Sequence, residues 1–194
     1  AYAGSQGVIL SSASRDLEKA VADSLEEITG QGGPPQDVRV VAQMGAQGNW
    51  QRYQLHGVAH PQPLEPGRPG DMSDADELRR FLLWGMEKYP SQHYAVVLGG
   101  HGAGFAGAVT NAQRSQMISL PDLEKALGEL PNKPELIVFN TCLMAQAEVA
   151  SQLQGTGTSL VASQSKLYGL GLPLAGWLQN LPGQADGPAA AAQL

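Results

Sequence analysis

Apolar residues along this chain fall into two kinds of run that alternate with each other. Short, β-branched runs at 7–12, 38–42, 94–98, 136–139 and 158–163 are bounded by polar or turn residues, so each predicts a buried strand. Between them, apolar positions recur at helical spacing. Leu17, Val21, Leu25 and Ile28 share one face of a helix that opens at 14–18 and stops at Gly30. Leu78, Phe81, Leu82, Met86 and Tyr89 define a second, capped by 71–74 and ended by Pro90. Leu123, Ala126, Leu127 and Leu130 mark a third after Pro121. Ala147, Ala150 and Leu153 mark a fourth that starts at Leu143, and 172–181 predicts a fifth. Strands alternating with helices predict an α/β domain with a mostly parallel central sheet and right-handed crossovers. Trp50, Tyr53, Leu55 and Val58 alternate loosely and predict a surface strand or small hairpin, followed by a Pro-rich loop at 61–71. Residues 104–109 read as a short returning strand and 110–119 as a polar loop.

Length and composition narrow this picture. With 42% hydrophobic content, 194 residues suffice for one domain, which we assign to 1–182. Residues 183–194 are mostly Ala, Gly and Gln, too poor in large apolar groups to pack, and read as a low-complexity tail or a cut linker to further domains of the same polypeptide. The net charge of −6 and the scattered Lys and Arg argue against nucleic acid or an anionic membrane as partner. No apolar run approaches the ~20 residues of a membrane-spanning helix. Cys142 is the only cysteine, so it has no internal disulfide partner. The chain begins at Ala1, not Met, as after removal of a leader, and a secreted or periplasmic location is expected ahead of a cytoplasmic one.

Two of the predicted strands end on reactive side chains, the first delivering His101 and the second Cys142. Neighbouring parallel strands lie ~5 Å apart, which would bring imidazole and thiol to one sheet edge, as a Cys/His nucleophile requires. A thiol at a strand-to-helix junction sits near free N–H groups that favour the thiolate, and an imidazolium favours it further. The N–H groups of Gly102 and Cys142 are candidate donors to an oxyanion, since Gly102 has no side chain to block approach. Blander readings exist for each residue. A lone cysteine at a strand end is most often a small buried hydrophobe. A solvated imidazole explains His56, His60 and His93, whereas His101 follows nonpolar 95–99 and is flanked by glycines. No metal or other cofactor is expected, because no second His, Cys or carboxylate stands at ligand spacing from His101. No D-x-D-x-D loop suggests a calcium site. Residues 102–107 fit G-x-G-x-x-G with Asp122 about twenty residues on, the pattern of a dinucleotide-binding protein, but 108–111 is a poor helix start. A lipase or esterase would need a G-x-S-x-G elbow, which is absent.

Strand-His-Gly followed by strand-x-x-Cys resembles the caspase-like fold, and the detail resembles the clostripain family of cysteine peptidases. That family has an Asp-Ala-Cys-Leu-Met core running into a helix with a Glu and small residues. Here the matching run is Asn140, Thr141, Cys142, Leu143 and Met144, continuing through Glu148 to Ala150. The likeness also covers Met72 and Ser73 ahead of the helix with Phe81 and Trp84, residues 94–104, Ser119 to Pro121, and 161–164, hence roughly 71–164. It implies a three-layer α/β/α sandwich, His101 as base, Cys142 as nucleophile, and an oxyanion hole from the N–H groups of Gly102 and Cys142. The implied reaction is hydrolysis of a peptide bond in a protein or peptide substrate. The likeness further implies self-cleavage in the loop between the His and Cys strands, where Arg114 is the only charged residue of 110–119.

The departures fall on specificity. The family's preference for Arg or Lys before the scissile bond is tied to acidic residues in the S1 pocket, one of them two positions before the nucleophile, where this chain has Asn140. Asn140, Ser163 and Lys166 are the expected substrate contacts, and a neutral pocket loses the charge pairing that selects a basic side chain. The non-enzymatic alternative is an idle caspase-like scaffold, which the presence of both dyad members weakens.

Overall fold

The structure, a computed structural model, describes residues 6–13, 18–30, 32–46, 49–57, 61–111, 116–168, 171–181 and 186–194. Strand β1 (Gln6–Ala13) leads into helix α1 (Glu18–Gly30) and strand β2 (Val38–Ala46), which lies parallel to β1. Strand β3 (Asn49–Leu55) turns back antiparallel to β2 and carries the two-residue strand β4 (Arg68–Pro69) on its outer side. In helix α2 (Ala75–Lys88), the Asp74 side chain accepts the N–H of Asp76 and caps the first turn. Strand β5 (His93–Gly100) follows, then a hairpin of β6 (Ala108–Asn111) and β7 (Gln116–Ile118). Helix α3 (Leu120–Gly128) is capped by Ser119, and strand β8 (Leu136–Asn140) is parallel to β5. Helix α4 (Ala147–Gln152), strand β9 (Ser159–Val161), helix α5 (Leu174–Asn180) and helix α6 (Gly187–Ala191) complete the described elements.

The sheet order is β4-β3-β2-β1-β5-β8-β9, parallel from β2 to β9. Parallel strands need both faces covered, and alternation along them supplies two apolar surfaces. Val96, Leu98, Ile137 and Phe139 pack beneath residues of α2, α3 and α4, including Phe81, Leu82, Leu123 and Val149. Val40, Val97, Leu136 and Val138 face the opposite way, against Leu25 and Ile28 of α1 and Trp177 and Leu178 of α5. Each such fully buried side chain is worth roughly 1.5–3 kcal/mol, so both layers are needed to hold the sheet. The layers are therefore α/β/α, as expected.

Several sequence expectations change. Trp50 is buried rather than superficial, because the Arg52 guanidinium stacks between it and Trp84, 4.5 and 4.4 Å from the ring centroids. Burial lowers the Arg52 pKa from its ordinary value, against the carboxylates of Glu65 and Glu77, which raise it. His93 is no free imidazole, since its Nδ1 lies 2.6 Å from Glu135 Oε1. The stretch read as a polar loop at 110–119 is in part the β6–β7 hairpin, and Arg114 lies outside the described residues. Helix α4 starts at Ala147 rather than Leu143. Residues 186–194, expected not to pack, include α6, whose Ala190 is buried and accepts a hydrogen bond from Trp177 Nε1 (2.9 Å). Small residues pack there because the large apolar surface is contributed by Trp177 and Leu181.

Candidate active site

The register of two adjacent strands places the two reactive residues. Gly99 of β5 pairs with Asn140 of β8, so His101 and Cys142 each stand two residues beyond one level of the sheet, at its C-terminal edge. This is where ligands bind in parallel α/β sheets. Gly100 leaves β5 with φ +127, a conformation open to glycine, and turns the chain toward the edge. The loop that follows is tied back on itself, with Val109 N–H donating to the His101 carbonyl and Ala103 N–H to the Gly107 carbonyl, both 2.9 Å. Val109 is buried at φ +58, a costly conformation for a β-branched residue, at an irregularity in the β6–β7 pairing. Strain of this kind persists only where the surroundings over-determine the backbone.

The thiol's side of the edge is a turn rather than a helix start. Leu143 takes φ +63, which ends the strand direction and delays α4 by four residues. Its N–H donates to the Ser165 carbonyl (3.1 Å) and the Ala145 N–H to the Ser163 carbonyl (3.0 Å). The stretch expected to be the helix's first turn is therefore held by the loop after β9. Cys142 is half-buried, and its thiol meets main chain instead of a helix terminus. Leu167 N–H donates to Sγ at 3.4 Å, while Sγ lies 3.9 Å from the Leu167 carbonyl.

Gly102 touches this turn directly. An added Cβ would collide with the Cys142 carbonyl and lie 2.8 Å from Thr141 Oγ1, so the close approach requires glycine. The Thr141 hydroxyl is buried and has no hydrogen-bond partner among the described residues. On the other side, Gln146 Oε1 accepts the N–H of Phe105 (3.2 Å), joining the two loops a second time.

These loops line a cleft of about 400 Å³ whose walls include His101, Gly102, Asn140, Cys142, Lys166 and Tyr168. Of the residues expected to act, His101, Gly102, Cys142, Asn140 and Lys166 are thus brought together. Ser163 is not among the lining residues, and its Oγ is engaged by the N–H and carbonyl of Ser165, both 3.1 Å. Asn140 Oδ1 accepts the N–H of Leu172 (2.8 Å), so this side chain also fastens the chain beyond the cleft. Among the described lining residues there is no carboxylate, and Lys166 is the only permanent charge. No group of three or more His, Cys, Asp or Glu residues able to hold a metal ion occurs among the described residues. No described helix is long and apolar enough to cross a membrane. Sequence reasoning missed Leu167 and Gln146, which act through a backbone group and a neutral amide and carry no motif.

A three-layer α/β/α domain with a thiol and an imidazole at one parallel-sheet edge belongs to the class of caspase-like folds. The clostripain family, Peptidase C11, matches residues 12–189, and the chain belongs to this family. It is similar in fold to a secreted C11 cysteine protease from Bacteroides thetaiotaomicron in complex with an irreversible peptide inhibitor. The TM-score is 0.83 at 22% identity, over 98% of this chain and 57% of that one. A second structure of a secreted C11 protease of that bacterium, iotapain, gives 0.81 at 21% identity, over 98% and 61%. An inactive zymogen C11 protease from Parabacteroides distasonis gives 0.74 at 21% identity, over 96% and 54%. The chain thus spans little more than half the length of these structures. No curated protein matches it.

Proposed function

We propose that this chain is the catalytic part of a cysteine endopeptidase, with Cys142 as nucleophile and His101 as base. The observation that carries the reading is the Gly99–Asn140 register, which sets both residues at one level of adjacent strands. The Cys142 thiolate attacks the scissile carbonyl carbon, and the electron pair displaced onto oxygen is met by the N–H groups of Gly102 and Cys142. The imidazolium of His101 gives its proton to the leaving amine as the C–N bond breaks, leaving a thioester on Cys142. His101 then takes a proton from water, whose oxygen attacks the thioester and frees the carboxylic acid and the thiolate. The Leu167 N–H directed at Sγ supports the thiolate in both halves of the cycle.

The substrate is a protein or peptide whose residue before the scissile bond is uncharged or acidic. Asn140 stands where the family pattern carries a charge, no described lining residue is a carboxylate, and Lys166 adds positive potential. Lys166 and Asn140 contact the substrate, while Ser163 acts through the loop it shares with Ser165. Self-cleavage after Arg114, an intramolecular cut in which tethering of the loop stands in for the missing charge pairing, and an exported location complete the reading. The G-x-G-x-x-G alternative has no support, since Gly107 is followed by strand β6 and not a helix.

The test is turnover of a peptide library by the purified chain and its Cys142→Ala and His101→Ala variants. Each loss of a dyad member is expected to reduce kcat by about 10³-fold or more with thermal melts unchanged. Near-normal turnover by a folded Cys142→Ala protein would sink the assignment. Absence of turnover and of enhanced thiol alkylation in the parent chain would favour the idle scaffold.

A further inference from the structure

Gln146 lies four residues beyond Cys142, and the residue whose N–H it accepts, Phe105, lies four residues beyond His101. It is also the N-cap of α4, where a side chain ordinarily turns inward to accept an N–H of its own helix. Here it makes no such bond, and its amide is directed across to the histidine loop instead. That loop is shaped to receive it. Gly104 has φ +61, and a Cβ there would strike the Gln146 amide, so the amide lies flat against the glycine backbone. We propose that Gln146 is a positioning residue for the dyad, fixing the separation of imidazole and thiol by clamping the two loops. This rests on the dyad reading above.

The two anchors are of different kinds, which is why the clamp matters. The Gly102 contact with the Cys142 carbonyl limits how near the loops can come, but a van der Waals stop does not limit how far they part. The Val109 and Ala103 hydrogen bonds hold the histidine loop to itself. The Leu143 and Ala145 bonds hold the thiol turn to the loop after β9. Gln146 supplies a directional bond between the two halves. Its loss removes that bond between the loop ends while the hydrogen bonds within each loop stay in place. A displacement of about 1 Å in a catalytic pair can cost on the order of 100-fold in rate.

The decisive variant is Gln146→Asn, one methylene shorter. Asparagine is the better N-cap and can serve its own helix, but it does not reach Phe105. The expected result is a melting temperature equal to or above the parent's, kcat reduced about ten- to hundred-fold, and KM within about two-fold. The rate of Cys142 alkylation by iodoacetamide at one fixed pH should fall together with kcat. Gln146→Glu retains an acceptor at full length and should keep most of the rate. Parent-like kcat in folded Gln146→Asn overturns the proposal, as does a Gln146→Glu variant as slow as Gln146→Asn. Turnover that survives in a folded Cys142→Ala protein overturns the dyad reading itself, and this inference with it.

Discussion

The Cα of Gly102 rests against the carbonyl of Cys142 with no room for a methyl group between them. The histidine loop and the thiol turn are therefore in van der Waals contact through backbone, where neither can yield by rotating a side chain. Gly102→Ala should force the loops apart. We expect a folded protein with kcat/KM lowered roughly 100-fold. Circular dichroism paired with steady-state kinetics checks this, and a fully active Gly102→Ala enzyme would show that the contact is incidental.

Asn140 offers a direct handle on specificity. Aspartate at this position can still accept the Leu172 N–H through a carboxylate oxygen, so the anchoring bond survives while a negative charge enters the cleft. An ion pair of this kind is worth ~1.5–3 kcal/mol. Asn140→Asp should therefore raise cleavage after Arg or Lys, relative to uncharged residues, by roughly ten- to hundred-fold. Strong Arg or Lys preference in the parent chain, unchanged in Asn140→Ala, contradicts this account of the pocket.

Arg114, between the described strands β6 and β7, is the proposed point of self-cleavage. Intact-mass spectrometry of the parent chain beside Cys142→Ala should show a cut after Arg114 in the first and none in the second. Equal nicking in both, or an intact chain in both, removes self-processing from the reading.

Helix α6 covers Trp177 and Leu181, and the Ala190 carbonyl accepts the indole N–H. Ending the chain after residue 182 uncovers both side chains and leaves that N–H to solvent. The expected cost is ~2–4 kcal/mol, from lost apolar burial plus one hydrogen bond. It should appear as a lower urea midpoint. An unchanged midpoint would mean that α6 contributes nothing to the core.

The central strands were legible because Tyr94 to Leu98 and Leu136 to Phe139 are continuous apolar runs and Val38 to Ala42 is broken only by the exposed Arg39, as both-face burial requires of short parallel strands. His101 and Cys142 were legible for the same reason, as reactive groups at the ends of those runs. The start of α4 was not. Nothing in the residue type of Leu143 announces a left-handed φ, which is imposed by the hydrogen bonds that 143 and 145 give to the loop beyond β9. The packing of the alanines near the end was hidden because the apolar partner, Trp177, lies more than ten residues earlier. His93 looked solvated in sequence because its partner Glu135 is forty-two residues away.

The bonds from Leu143 and Ala145 to Ser165 and Ser163, with Leu167 against the thiol, make the wall of the cleft and the seat of the Cys142 thiol a single mechanical piece. Selectivity and speed are then not separate dials. Exchanging residues 163–168 for a loop of different shape would reshape the pocket, and it would also tilt the turn that aims Sγ. Engineering a new cleavage preference is better begun at Asn140 or Lys166, whose side chains can change while the carbonyls of Ser163 and Ser165 stay where they are.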